Sequence, residues 1–361
     1  MMNLPQPKRL WDWLLERLEL GPILYFAQNK EVPVHQYSFW YYMGGIILVL
    51  LIGQVLSGML LMVYYIPEIR SAHASILALN SQIDFGWFVR SLHSWGANLM
   101  VLFLFAHLFS TYFMKAYRPP RELTWLSGML LLGLGFGFGF TGYLLPWDST
   151  SFFATKIGLD ITAKVPLIGE PMAYILRGGA DISQNTISRF FTIHVMLLPL
   201  LLLPVLGLHL WIIQAHGMSE PKQGPTAYPS PEEKYEKFFP TFIFKDFMAW
   251  VVVLGALAIL VALRPWGVGP EADPFAPAPI GIKPEWYFLS MFQFLKLLPP
   301  KIGPLEGELV GILFFGLLGL ILALIPFFDT GASESRSKAA TGFGIFLLAG
   351  LIIFTIWGLF S

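Results

Sequence analysis

No cysteine occurs anywhere in the 361 residues. That excludes disulfides, thiolate metal sites, iron–sulfur ligation and thioether-linked haem within this chain, so any metal must rely on histidine or carboxylate. Charge is scarce as well. Asp, Glu, Lys and Arg make up 13% of residues, against roughly 25% in soluble domains. The 23 basic residues balance 23 acidic ones, which leaves no cationic surplus for nucleic acid. The N-terminus lacks an apolar segment with a small-residue cleavage site, so the first membrane span is the expected targeting element. No internal repeat or low-complexity stretch stands out.

What is abundant is apolar length, with 55% of residues hydrophobic. A spanning helix needs about 20 consecutive apolar residues, and seven stretches qualify: roughly 38–65, 92–114, 124–146, 190–213, 246–263, 306–327 and 341–360. The expected fold class is an all-α polytopic membrane protein with seven transmembrane helices, a four-helix bundle followed by three C-terminal helices. The expected division is 1–215 for the bundle, 216–245 for a connecting loop and 246–361 for the C-terminal module. Residues 10–20 set Trp13, Leu14 and Leu18 against Asp12, Glu16 and Arg17, the pattern of a helix lying on the membrane surface. Seven spans put the termini on opposite sides. Loops on the N-terminal side hold about 13 Lys and Arg against about 10 on the other, which favours a cytoplasmic (n-side) N-terminus. Two long loops, 147–189 and 264–307, then fall on the opposite p-side, rich in Pro, Gly and Trp as folded caps are.

Four of the seven histidines fall in two of these spans. His93 and His107 are 14 residues apart in the second, and His194 and His209 are 15 apart in the fourth. At ~1.5 Å and ~100° per residue, each pair is separated by ~21–22 Å with angular offsets of about −40° and +60°. Both spans run from the p-side to the n-side, so the first histidines share one depth and the second histidines another. Each cross-helix pair suits bis-imidazole ligation of a planar haem. A single intramembrane histidine often only bonds a neighbouring helix, but four in two matched pairs point to function. The two spans without ligands repeat the interval in glycine: Gly44 and Gly58 in the first, Gly128 and Gly142 in the third. A macrocycle wedged in a four-helix bundle needs backbone free of side chains where it approaches; ordinary small-residue helix packing is the plainer account. Arg90 and Arg189, just before His93 and His194, are candidate partners for anionic propionates, and Lys115, Arg118 and Arg121 are candidates at the other surface.

The segments RSLHSWGAN (90–98) with His107, TGYLLPWD (141–148), SRFFTIH (188–194) with His209, and PEWYF (284–288) resemble cytochrome b of the cytochrome bc complexes over nearly the whole chain. RPPRELTW (118–125) is most similar to the plastid-type branch, and residues 269–288 resemble that branch's separate small subunit, fused here. The resemblance implies two non-covalent b-type haems: a low-potential p-side one on His93 and His194, and a higher-potential n-side one on His107 and His209. Pro284, Glu285, Trp286 and Tyr287 would form the quinol-oxidation motif, with Glu285 accepting a quinol proton and Tyr287 shaping the pocket. Asp246, preceded by Lys245, would supply protons to an n-side quinone; an interfacial charge at a helix start is the alternative.

The activity implied is of the quinol–cytochrome c reductase type, with proton translocation. One electron passes to a Rieske iron–sulfur protein and a c-type cytochrome subunit, and the other crosses through both haems to the n-side quinone. Because the chain lacks cysteine, the iron–sulfur acceptor must be another chain. The resemblance further implies a homodimer of multi-subunit protomers in the lipid bilayer of a bacterial-type inner membrane.

Three positions depart from relatives' patterns. Gln214 stands where the respiratory branch has a quinone-site histidine. Ser110 replaces an arginine three residues after His107, and Tyr42 replaces the cysteine that carries an extra covalent haem in the plastid type. Two other readings stay open on residues alone: a di-haem anchor subunit of a dehydrogenase or hydrogenase, and a haem-free transporter with histidine proton relays.

Overall fold

A computed structural model describes residues 10–220 and 235–361. Residues 1–9 and 221–234, the latter inside the expected connecting loop, lie outside the described residues. Among the described residues, seven helices are long and apolar enough to cross a membrane: Ser38–Met62, Gly86–Phe113, Glu122–Tyr143, Gln184–His216, Phe238–Leu263, Gly307–Phe328 and Glu334–Phe360. Helices suit lipid because every backbone polar group is satisfied within the segment. Their outward faces carry exposed Leu200, Val252 and Leu263, as lipid-facing surfaces do.

The chain begins with α1 (Leu10–Leu18) and α2 (Gly21–Asn29); α2 was not anticipated from the sequence. The bundle consists of α3 (Tyr42–Met62), α5 (Gly86–Phe113) and α6 (Glu122–Leu144), with a fourth span built from α9 (Gln184–Thr192) and α10 (Leu198–His216). In it α3 packs along α5, and α6 along α10. Between α3 and α5 lies a short helix, α4 (Ala72–Gln82). The loop after α6 folds into α7 (Ser149–Ala163) and α8 (Gly169–Arg177) over a core of Leu144, Trp147, Phe152, Ile187 and Phe190. The C-terminal part comprises α11 (Ile243–Leu263), α12 (Trp286–Leu297), α13 (Gly307–Phe328) and α14 (Glu334–Phe360). It closes on the bundle through α11 against α3 and α5, α13 against α6, and α14 against α5. Ahead of α3 and α11, β1 (Glu31–Pro33) pairs antiparallel with β2 (Tyr235–Lys237).

Several spans start earlier than their apolar runs do, at Gly86, Gln184, Phe238 and Glu334 rather than 92, 190, 246 and 341. At two of these starts the reason is capping, since a helix begins where its first N–H groups find partners rather than at the membrane edge. Ser183 and Thr186 form a capping box before α9, and the Ser333 hydroxyl accepts from the Arg336 N–H before α14.

The two halves are also tied by a buried charge. Asp329, after α13, has no exposed side-chain surface and accepts from Tyr117 Oη at 2.7 Å and Arg118 at 2.9 Å, with Lys115 Nζ 3.6 Å away. Burial alone would push its carboxyl up, but the Tyr117 hydrogen bond and the Arg118 and Lys115 charges outweigh it and hold it below the ordinary carboxylate range. The stabilisation is therefore present above that range and lost as pH falls through it. Asp329→Ala strands two partly buried cations, so the protein in detergent is expected to lose roughly 3 kcal/mol of stability. A thermal-unfolding midpoint equal to wild type would refute this. Lys115 and Arg118, expected as propionate partners, are thus engaged with the C-terminal module.

Candidate functional site

His93 and His194 meet as the matched-depth argument requires, with their ring centres 6.3 Å apart. Two metal–imidazole bonds of about 2.0–2.1 Å, with about 1.1 Å from each nitrogen to its ring centre, need a separation of about 6.3 Å. Among the described residues no three His, Cys, Asp or Glu side chains converge on one point. Each histidine pair therefore offers a metal two ligands, which fits an iron whose other four come from a macrocycle.

Every one of the four glycines faces one histidine. A Cβ on Gly58 would lie 3.2 Å from His93 Cε1, on Gly142 2.6 Å from His194 Cε1, on Gly128 3.3 Å from His209 Cε1, and on Gly44 3.6 Å from His107 Cε1. The glycines are thus a cradle for the imidazoles, one that a side chain would crowd at Gly142, Gly58 and Gly128 and only touch at Gly44, and the residues present fit two haems held between α3 and α5 on one flank and α6 and the α9–α10 span on the other.

The uneven histidine spacing has a local cause. His194 lies in a π turn, Ile193–Leu197, between α9 and α10. A π turn accommodates one extra residue in an otherwise α-helical segment and is common at functional sites. It absorbs the fifteenth residue, so His209 emerges in step with His107, and the +60° offset computed for an unbroken helix is corrected.

Sequence reasoning missed three side chains here. Ser57 Oγ, Thr141 Oγ1 and Ser127 Oγ lie 2.9, 3.1 and 2.9 Å from Nδ1 of His93, His194 and His209. Each hydroxyl gives its own proton to a carbonyl one turn back, of Gly53, Gly137 and Thr124 respectively. The oxygen must then accept from Nδ1–H, which leaves Nε2 with its lone pair for a metal. The signal was present: each hydroxyl residue immediately precedes a cradle glycine.

The PEWYF segment packs against the C-terminal end of α6. Tyr287 is buried, its hydroxyl lies where a Cβ on Gly139 would come within 2.6 Å, and its ring stacks on Phe136 at 6.4 Å. Gly139 precedes Gly142 by three residues, a rise of about 4.5 Å, so Tyr287 sits next to the His194 cradle. Trp286 Nε1 donates to Asn98 Oδ1 at 2.8 Å. Glu285 occupies the N-cap of α12 after Pro284. Burial pushes its carboxyl above the ordinary range, nearby Asp148 adds to the effect, and the Trp286 N–H opposes it. Asp148 itself caps α7 by accepting from Ser151 N at 2.9 Å. The loops after α6 and α11 are pinned together by Ser149 N to Pro270 O and Ala272 N to Trp147 O.

Arg90 is buried and donates to the carbonyls of Trp266 and Gly267 at 2.6 and 3.0 Å, while Arg189 donates to Ile175 O in the last turn of α8. Both bind the long loops to the bundle, and an anionic group there would share their donors. At the other end of the bundle, buried Asp246 lies directly against Gly45, next to the Gly44 cradle, and its Oδ1 has no hydrogen-bond partner among the described residues. Gln214 accepts from Lys30, Ser110 turns back to the His107 carbonyl at 3.0 Å, and Tyr42 stacks on Phe242 at 5.3 Å.

The family described as Cytochrome b/b6/petB matches residues 28–217, and Cytochrome b(C-terminal)/b6/petD matches 271–360. A cytochrome bc complex cytochrome b subunit of Chlorobaculum thiosulfatiphilum is 46% identical over 347 residues, 95% of this chain and 79% of that one. A menaquinol:cytochrome c reductase cytochrome b subunit of Geobacillus thermodenitrificans is 41% identical over 220 residues, 59% of this chain and 98% of that one. A solved structure titled Hyperthermophilic respiratory Complex III superposes with a TM-score of 0.78 at 26% identity, covering 97% of this chain and 99% of that one.

Proposed function

This chain belongs to the cytochrome b family, and from that premise we propose that it is the di-haem, quinol-oxidising subunit of a proton-translocating quinol:cytochrome c reductase complex. The observation that carries the reading is the one-to-one facing of four histidines by four glycines. Bound there, two b-type haems supply a one-electron path across the membrane. The chain's own residues do the rest. Ser57, Thr141 and Ser127 orient ligand imidazoles, and Arg90 and Arg189 provide p-side cations. Tyr287, Trp286 and Pro284 wall a quinol pocket beside α6. Glu285, buried and near a second carboxylate, takes a proton from quinol at its carboxylate oxygen and carries it toward the p-side. At the n-side, Asp246 delivers a proton to the quinone being reduced; its unpartnered Oδ1 supports that role.

The proposal extends to residues 1–215 as the haem-binding module, 216–245 as an n-side link and 246–361 as the module completing the quinol pocket. A Rieske protein and a c-type cytochrome are the acceptors, and the complex is a dimer in the inner membrane with the chain's N-terminus on the n-side. Purification of the native complex should yield reduced b-type absorption with two haems per chain, an iron–sulfur subunit and a c-type cytochrome. Absent b-type absorption would sink the haem reading. Co-purification with a dehydrogenase or hydrogenase subunit and no iron–sulfur acceptor of the Rieske type would replace bifurcation with a membrane-anchor role.

A further inference from the structure

The four ligand histidines are not held alike. Three have a hydroxyl on Nδ1, supplied by the residue before a cradle glycine: Ser57 before Gly58, Ser127 before Gly128 and Thr141 before Gly142. The fourth cradle glycine, Gly44, follows Met43, which is buried and carries no donor or acceptor suited to imidazole. His107 Nδ1 is accordingly buried with no hydrogen-bond partner among the described residues. The p-side pair, His93 and His194, is bonded at both Nδ1 atoms; the n-side pair is bonded only at His209.

We propose that this missing hydroxyl at Met43 is a tuning device, and that Ser57, Ser127, Thr141 and Met43 are positioning residues that separate the reduction potentials of the two haem sites. An Nδ1–H donated to a hydroxyl oxygen gives the imidazole anionic character and makes Nε2 a stronger donor. A stronger donor favours the oxidised metal and lowers the potential, one of the means by which proteins set haem potentials. Two such bonds hold the p-side site low. One leaves the n-side site higher, which makes electron movement from p-side to n-side downhill. The inference rests on the two-haem reading above, and its test is separable from it.

The test is a redox titration of the purified complex, following each b component by its visible band and by its low-spin EPR signal. Ser57→Ala should raise the p-side midpoint and narrow the gap between the sites. Ser127→Ala should raise the n-side midpoint and widen the gap. Met43→Ser should lower the n-side midpoint and narrow the gap from the other side. Each shift should correspond to a three- to tenfold change in the oxidised-to-reduced ratio, about 30–60 mV for one electron. Ser57→Thr should restore the wild-type value. Opposite effects on the gap from Ser57→Ala and Ser127→Ala are a signature that general loosening does not produce, and those two variants decide the matter if Met43→Ser fails to assemble. Midpoints unmoved in both, or gaps changing in the same direction, overturn the proposal. A wild-type complex without b-type absorption would instead remove the two-haem reading itself.

Discussion

His107→Leu is expected to halve the haem content of the purified complex and to eliminate the n-side component from a redox titration while leaving the p-side component in place. Leucine approximates the volume of imidazole but offers no lone pair, so α5 can still pack while His209 loses its partner. The local geometry makes the loss selective. His107 faces Gly44, whereas His93 faces Gly58 and is bonded to Ser57, and 14 residues of helix put about 21 Å between the two sites. His93→Leu should do the converse, removing the p-side component. Pyridine haemochrome analysis against protein concentration measures the ratio. Two haems surviving His107→Leu with unchanged midpoints would refute the ligand assignment, and loss of both would show that the sites do not load independently.

Part of this site was legible in the sequence because its signals are intervals. A helix converts a 14-residue repeat into depth and face, so His93, His107, Gly44, Gly58, Gly128 and Gly142 could be matched before any coordinates. The π turn at Ile193–Leu197 could not be read the same way, since nothing in the residue types there announces one extra residue in the hydrogen-bond ladder. The hydroxyls of Ser57, Ser127 and Thr141 were visible but carried no weight, because Ser and Thr commonly return their protons to their own helix. Only the structure shows that these also accept from imidazole. The contact of Lys115 and Arg118 with Asp329 was not legible for another reason: that partner lies more than 200 residues away, beyond any periodicity. Short helices such as α4, α7 and α8 escaped notice because segments at the membrane edge are too short and too mixed in polarity to give an apolar run.

Glu285→Gln is expected to lower quinol-oxidation turnover about 10²-fold, the order by which a positioned proton acceptor usually contributes, while haem content and midpoints stay at wild-type values. Glutamine preserves the shape at the start of α12 and the Trp286 backbone contact but cannot take a proton. The pH profile should carry the same information with a definite sign. A carboxyl accepts a quinol proton only when ionised, so turnover rises with pH through the ionisation of Glu285. Burial and Asp148 raise that ionisation, which places the limb above the ordinary glutamate value of about 4.3. Glu285→Gln should abolish the limb. Asp148→Asn, which removes the neighbouring charge yet keeps an N-cap acceptor for Ser151 N, should move it to lower pH. Steady-state quinol:cytochrome c reductase assays across pH measure both. Wild-type turnover in Glu285→Gln would remove this carboxylate from the reaction, and an unmoved limb in Asp148→Asn would show that burial alone sets the acidity of Glu285.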